Sequence, residues 1–185
     1  MDKKKTVALY GGSFDPPHVG HIAIIKALRE LDFIDEVIVM PTFLNPFKEH
    51  FTANAELRLQ WLKEICSSFD DVYVSAFEVE KKRKVPTVET VRFLQQKYKK
   101  IYLVLGADNL HSLEKWYKFD ELKKLVEFII VTRDNIEVPQ NFRTLNVDVD
   151  ISSSLLRKDL DISNLPKTCA KEIAHYYKEH NEKKN

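Results

Sequence analysis

An α/β fold is what this sequence predicts: a doubly wound, mainly parallel sheet with helices on both faces. Three observations carry that expectation. Short apolar runs rich in β-branched residues alternate with segments of helical period. Several of those runs are apolar at every position, the pattern of strands covered on both faces. All four glycines fall at or just past the end of a predicted strand.

The elements follow in order. Residues 6–10 (TVALY), 37–40 (VIVM), 72–74 (VYV), 101–105 (IYLVL) and 128–131 (FIIV) read as strands. Between them, Ile22, Ile25, Leu28 and Leu31 recur at threes, the period of a helix with one buried face. Leu57, Trp61, Leu62 and Ile65 make a second such stripe, and Val88, Val91, Leu94 and Tyr98 a third. Leu145, Val147, Val149 and Ile151 alternate with polar residues, so 144–151 is expected to be a strand with one wet face. Pro166 signals the start of a last helix, about 166–180, with Ala170, Ile173, Ala174 and Tyr177 as its stripe and 181–185 as a frayed tail. Strand–helix–strand repetition implies parallel pairing. Right-handed crossovers then collect the strand C-termini on one edge, where ligands of such sheets bind.

Composition narrows the function. A chain of 185 residues, 44% apolar and 31% charged, is expected to form a single domain over 1–185 with a real core. Its net charge of +1 offers no global field for nucleic acid or a membrane surface, so neither is expected as a partner. Cys66 and Cys169 are too few for a disulfide framework and form no CxxC, which points to a reducing, cytoplasmic setting. The apolar run after the basic start is too short for a signal-peptide core, and no segment approaches a membrane span.

Residues 10–21, YGGSFDPPHVGH, hold Gly11, Gly12 and Gly20 together with His18 and His21. Pro16 and Pro17 are tolerated before or inside a first helical turn, so a helix starts close to His18 and contains His21. A helix N-terminus carries partial positive charge and open N–H groups. Two imidazole donors added to it make a site for phosphate. The same letters also fit a tight turn with two surface histidines. They also fit an ion shared by His18, His21 and Asp15, although no nearby cysteine or HExxH supplies further ligands. The stretch is neither a P-loop nor a GxGxxG fingerprint, which sets aside Walker-type chemistry and hydride transfer.

Three later stretches add to it. In ISSSLLR, 151–157, the serines suit a helix N-cap. Gly106-Ala107-Asp108 follows a strand, where glycine permits close approach and Asp108 can accept ribose hydroxyls or cap a helix. Trp116 and Tyr117 are adjacent, so on a helix they point in different directions, and one of them is free to face a ligand rather than the core.

At this point a family comes into view. Gly11-x-x-Phe14-x-x-x-His18-x-Gly20-His21 resembles the HxGH motif of the nucleotidyltransferase superfamily, whose members place ATP or CTP over a Rossmann-like sheet. ISSSLLR is similar to the ISSTxxR motif of the same superfamily, with Ser154 where the family has threonine. Gly106-Ala107-Asp108, the Trp116-Tyr117 pair and Val131-Thr132-Arg133 resemble the bacterial nicotinate-nucleotide adenylyltransferases. MPTFLNPFK, 40–48, resembles a family loop ending Pro-Pro-His-Lys, with Phe47 in place of the histidine; PTVET, 86–90, resembles the loop entering the next helix. The resemblance runs from Val7 to Arg157.

The resemblance implies an enzyme with a Rossmann-like nucleotidyltransferase fold that moves the adenylyl group of ATP to nicotinic acid mononucleotide, releasing pyrophosphate, in NAD biosynthesis. Nicotinamide mononucleotide and 4′-phosphopantetheine are alternative acceptors, and a nucleotide-binding sensor without turnover is the alternative from another class. The catalytic residues it implies are His18, His21 and Arg157. ATP would meet Gly11, Ser13, Phe14, His18, Gly20, His21, Gly106, Asp108, Ser152, Ser153 and Arg157. The mononucleotide would meet Gly12, Lys48, Thr87, Trp116 and Tyr117, with Trp116 stacked on the pyridine ring. Mg²⁺ would be held mainly by ATP phosphates and water, with no protein ligand set. The attacking phosphate oxygen is already anionic, so no general base is required. Small molecules are the expected partners, and the sequence gives no oligomeric state.

Overall fold

A computed structural model describes residues 5–44, 50–132, 137–148 and 151–182. The chain runs β1 (Thr6–Gly12), α1 (Val19–Arg29), β2 (Glu36–Pro41), α2 (Ala55–Cys66), β3 (Val72–Val74), α3 (Phe77–Glu80), α4 (Thr87–Gln95) and β4 (Lys100–Gly106). A 3₁₀ segment, Ala107–Lys115, follows. Then come α5 (Phe119–Leu125), β5 (Glu127–Thr132), β6 (Arg143–Asn146), α6 (Ser153–Lys158) and α7 (Ala170–Glu182).

The six strands form one sheet in the order β3-β2-β1-β4-β5-β6. Every neighbouring pair is parallel. This is the Rossmann-like doubly wound arrangement, and the order reverses between β1 and β4. The registers Gly12↔Pro41 and Gly106↔Val131 put the glycine-bearing ends of β1 and β4 on the same C-terminal edge.

The continuous apolar runs have the expected cause. Along β1, Val7 and Leu9 enter one core, with Val88, Val91, Leu94 and Leu122. Ala8 and Tyr10 enter the other, with Ile25, Leu28, Trp61, Ile173 and Tyr177. Successive side chains of a strand point to opposite faces, so a strand covered on both sides must be apolar at each position. Burying a leucine such as Leu9, 2% exposed, contributes about 1.5–3 kcal/mol.

Two extents differ from expectation. The strand expected over 144–151 ends at Asn146, followed by one further bond from Val147 N–H to the Thr132 carbonyl at 3.3 Å. It is an edge strand with mostly exposed side chains, so little burial holds a longer ladder. The last helix begins at Ala170 rather than 166, because Pro166–Cys169 first makes a turn closed by Cys169 N–H on the Pro166 carbonyl at 3.1 Å. The helix runs to Glu182, two residues into the expected tail. Asn181 is helical, and its side chain donates to the Arg157 carbonyl at 3.0 Å. Among the described residues no helix is long and apolar enough to cross a membrane.

Candidate active site

The loop leaving β1 turns into α1 at His18, the N-cap, which has extended backbone. The His18 main-chain N–H donates to His21 Nδ1 at 3.1 Å. The two rings stack with centroids 3.6 Å apart. An Nδ1 that accepts carries no proton, so the neutral His21 ring holds its proton on Nε2. His18 is 1% exposed and lies behind this arrangement, whereas His21 is on the wall of a cavity.

Phe14 supports the pair from below. Its φ of 50° lies in the left-handed region, uncommon for a bulky side chain and costing of order 1 kcal/mol. Ring burial offsets this: Phe14 meets Tyr10 at 5.5 Å and His21 at 4.8 Å, edge to face in both cases. A Cβ at Gly12 would lie 3.1 Å from that ring, so glycine is what lets Phe14 fold back. The structure thus places Phe14, and the helical Gly20, in the interior rather than on the cavity wall.

The cavity, about 670 Å³, opens at the edge where strand order reverses. That volume suits a nucleotide-sized ligand. Of the residues expected at the site, Gly11, Gly12, Ser13, His21, Thr87 and Gly106 line it, as do Asp108, Trp116, Tyr117 and Ser152. Lys48 and Phe47, like Arg133, lie outside the described residues. At Gly106 an added Cβ would fall 2.4 Å from Asp108 Oδ1, so only glycine lets that carboxylate lie against the end of β4. Thr87 is the first residue of α4, and Pro86 stands at the N-cap position without a side-chain cap bond.

Trp116 and Tyr117 are not on a helix, contrary to expectation. The 3₁₀ segment ends at Lys115, Trp116 is extended, and Lys118 is left-handed before α5 begins. Tyr117 is 63% exposed. Trp116 packs partly against the core beside α4 and α5, and its Nε1 is buried without a hydrogen-bond partner among the described residues.

The three serines at the start of α6 do different things. Ser152 caps the helix, accepting from Leu155 N–H at 3.2 Å. Ser153 donates to the Pro16 carbonyl at 2.9 Å. Ser154 accepts from Arg157 Nη2 at 3.2 Å, while Arg157 Nη1 donates to the Asp15 main-chain oxygen. Ser153 and Arg157 therefore dock α6 on residues 15–16, just before His18, and neither lines the cavity.

Sequence reasoning missed the support beneath this lip. Arg58 of α2 is 0% exposed and donates to four main-chain oxygens: Ala53 at 3.0 Å, Ser13 at 2.6 Å, Thr42 at 2.9 Å and Phe43 at 3.1 Å. Burial pulls its guanidinium below the ordinary value, and the nearby Asp15 opposes that. The available signal was an arginine on the same helical face as Trp61, Leu62 and Ile65. Lys84 was also missed; it belongs to an exposed charge run yet lines the cavity.

Glu78 of α3 is a third omission. It is 7% exposed, on the cavity wall, and accepts from Thr90 Oγ1 at 2.6 Å. Burial, reinforced by Glu89, pushes its carboxyl up from 4.5 to about 7 against the opposing Thr90 bond. Between those values the folded chain keeps a proton that the unfolded chain has lost, so rising pH favours unfolding. The stability lost across that window is about 3 kcal/mol. Glu78→Gln cannot ionise. Its stability relative to the native chain should therefore rise between pH 5 and pH 8 by about that amount, as read by urea denaturation at each pH. A pH-independent difference would contradict this assignment.

Among the described residues no group of three or more His, Cys, Asp or Glu gathers to hold a metal ion. The donors around the lip are imidazole, hydroxyl and guanidinium groups, which suit an anion or a metal already bound to one.

Comparison with known proteins agrees with this geometry. Residues 9–159 match the cytidylyltransferase-like family model. A protein of Sulfurimonas denitrificans named probable nicotinate-nucleotide adenylyltransferase is 56% identical over 174 residues, covering 94% of this chain and 96% of the relative. One of the same name from Campylobacter fetus is 46% identical over 177 residues, covering 95% and 98%. The solved Plasmodium falciparum nicotinic acid mononucleotide adenylyltransferase, complexed with NaAD, shares the fold with a TM-score of 0.73 at 22% identity, over 96% of each chain. The chain belongs to the cytidylyltransferase-like family and, within it, to the nicotinate-nucleotide adenylyltransferases.

Proposed function

We propose that the chain, as one catalytic domain, transfers the adenylyl group of ATP to nicotinic acid mononucleotide, giving nicotinic acid adenine dinucleotide and pyrophosphate. A mononucleotide phosphate oxygen attacks the α-phosphorus of ATP in line. One P–O bond forms and the bond to the β-phosphate oxygen breaks. The catalyst's task is then to place two polyanions and to meet the charge that grows on the leaving pyrophosphate.

The observation that carries this reading is that one cavity joins His21 to Thr87 and Trp116, a phosphate-type lip and an aromatic, helix-terminus lip. In this reading His21, the α1 N-terminus and Arg157 hold the triphosphate, and His18 backs the His21 ring. Asp108 and the Gly106 turn hold the ribose. Trp116 stacks on the pyridine, and the α4 N-terminus at Thr87 favours a carboxylate over an amide. Mg²⁺ would come with ATP, held by its phosphates and water rather than by a protein ligand set, and would supply part of the charge cancellation. Buried, free Cys66 and Cys169 support a reducing, cytoplasmic setting.

The test is pyrophosphate release from Mg-ATP with nicotinic acid mononucleotide, nicotinamide mononucleotide or 4′-phosphopantetheine supplied singly. The first should give the largest kcat/KM. No release with any acceptor would turn the reading to a nucleotide sensor. Trp116→Ala should raise the mononucleotide KM roughly tenfold, from about 1–3 kcal/mol of ring stacking, and the ATP KM by much less. Equal effects on both would count against stacking.

A further inference from the structure

The C-terminal helix reaches the phosphate lip, although no expected site residue lies on it. Tyr177 of α7 is 0% exposed, and its hydroxyl donates to Asp15 Oδ1. The same Oδ1 accepts from Ala53 N–H at 2.9 Å, and Oδ2 accepts from Thr52 N–H at 3.0 Å. Asp15 itself is 2% exposed. Arg157 Nη1 stands 3.9 Å from Oδ2, outside hydrogen-bond reach, because it donates to the main-chain oxygen of the same residue instead.

We infer that Tyr177 is a positioning residue: by supplying the third hydrogen bond to the Asp15 carboxylate it keeps Arg157 from being captured as an ion pair, so that the guanidinium serves the nucleotide. This rests on the reading of Arg157 as a phosphate-holding group.

A carboxylate offers about four acceptor positions. Three are filled by Tyr177, Ala53 and Thr52, and the Arg157 guanidinium stands 3.9 Å from Oδ2. Removing the hydroxyl leaves a buried acceptor short of a partner, and the guanidinium has about an ångström to travel to replace it. The neighbouring residues of α7 hold the same parts in place. Tyr176 Oη donates to the Thr52 carbonyl at 3.1 Å, and Asn181 Nδ2 to the Arg157 carbonyl at 3.0 Å. The backbone geometry therefore survives the loss of one hydroxyl, and what changes is where the Arg157 charge goes.

The experiment is steady-state kinetics on Tyr177→Phe, Asp15→Asn, the double variant and Arg157→Ala. Tyr177→Phe should raise the ATP KM about tenfold, the size of a hydrogen bond to a charged group, with the mononucleotide KM within about twofold of native. Adding Asp15→Asn removes the competing charge and should return the ATP KM to within about threefold of native. Asp15→Asn alone should leave the ATP KM at or below the native value, and this arm decides the matter if Tyr177→Phe does not fold. An unchanged ATP KM in Tyr177→Phe, a parallel rise in both KM values, a double variant no better than the single, or a raised ATP KM in Asp15→Asn would each overturn the inference. Arg157→Ala separates the two levels. If its ATP KM is native, the reading of Arg157 fails; if it rises while Tyr177→Phe does not, only the role of Tyr177 fails.

Discussion

His21→Ala should lower kcat by about 10²–10³, the scale for removing a preorganised donor at developing charge, while ATP still binds. The cause is local. His21 sits at the third helical position of α1 with Nδ1 engaged by the His18 N–H, so its proton is on Nε2, on a ring that lines the cavity. Alanine removes that donor and the acceptor for the N-cap as well. A second variant separates the two. Asn at position 21 can supply an acceptor near Nδ1 but nothing at the place of Nε2. His21→Asn should therefore keep the α1 cap, worth about 1 kcal/mol of stability, and still lose most turnover. Near-native pyrophosphate release by either variant would remove His21 from the mechanism.

Arg58→Ala should destabilise the chain by about 3–5 kcal/mol, the range for breaking a buried charged cluster by removing one partner. Four main-chain oxygens, of Ser13, Thr42, Phe43 and Ala53, would lose their donors at once. Asp15 would lose its fully buried counter-charge. Ser13 and Thr42 line the cavity, so activity should fall at temperatures below the unfolding transition. Arg58→Lys should recover little, because an ammonium cannot present the planar fork that reaches several acceptors together. The check is urea denaturation of all three proteins. A loss under about 1 kcal/mol for the alanine variant would show that solvent replaces those bonds without difficulty.

What could be read from the sequence follows the range of the interactions. Strands such as TVALY and IYLVL declare themselves because each residue's burial is fixed by its own face of the sheet. The lip was legible for a similar reason: Gly11 to His21 are contiguous, and one turn of helix fixes their relation. Trp116 and Tyr117 misled because a 3₁₀ run and a left-handed Lys118 intervene where the periodicity of 113–122 allows a helix. Arg58, Asp15 and Tyr177 gave almost no sign, since their partners are 45 and 162 positions away along the chain for the Arg58–Ser13 and Tyr177–Asp15 bonds. Only tertiary packing tells a buried arginine on an apolar stripe from a surface one. Glu78 was silent for the same reason: its environment is made by α4, not by its own short helix.

The central claim is that the lip after β1 holds the triphosphate while the other end of the same cavity holds the pyridine ring. A crystal structure with a non-hydrolysable ATP analogue and nicotinic acid mononucleotide tests it most directly. The account predicts phosphate oxygens within hydrogen-bond distance of His21 Nε2 and the Arg157 guanidinium, and the pyridine ring flat against Trp116. A triphosphate bound away from the α1 N-terminus, with His21 turned from it and Trp116 bare, would contradict the account.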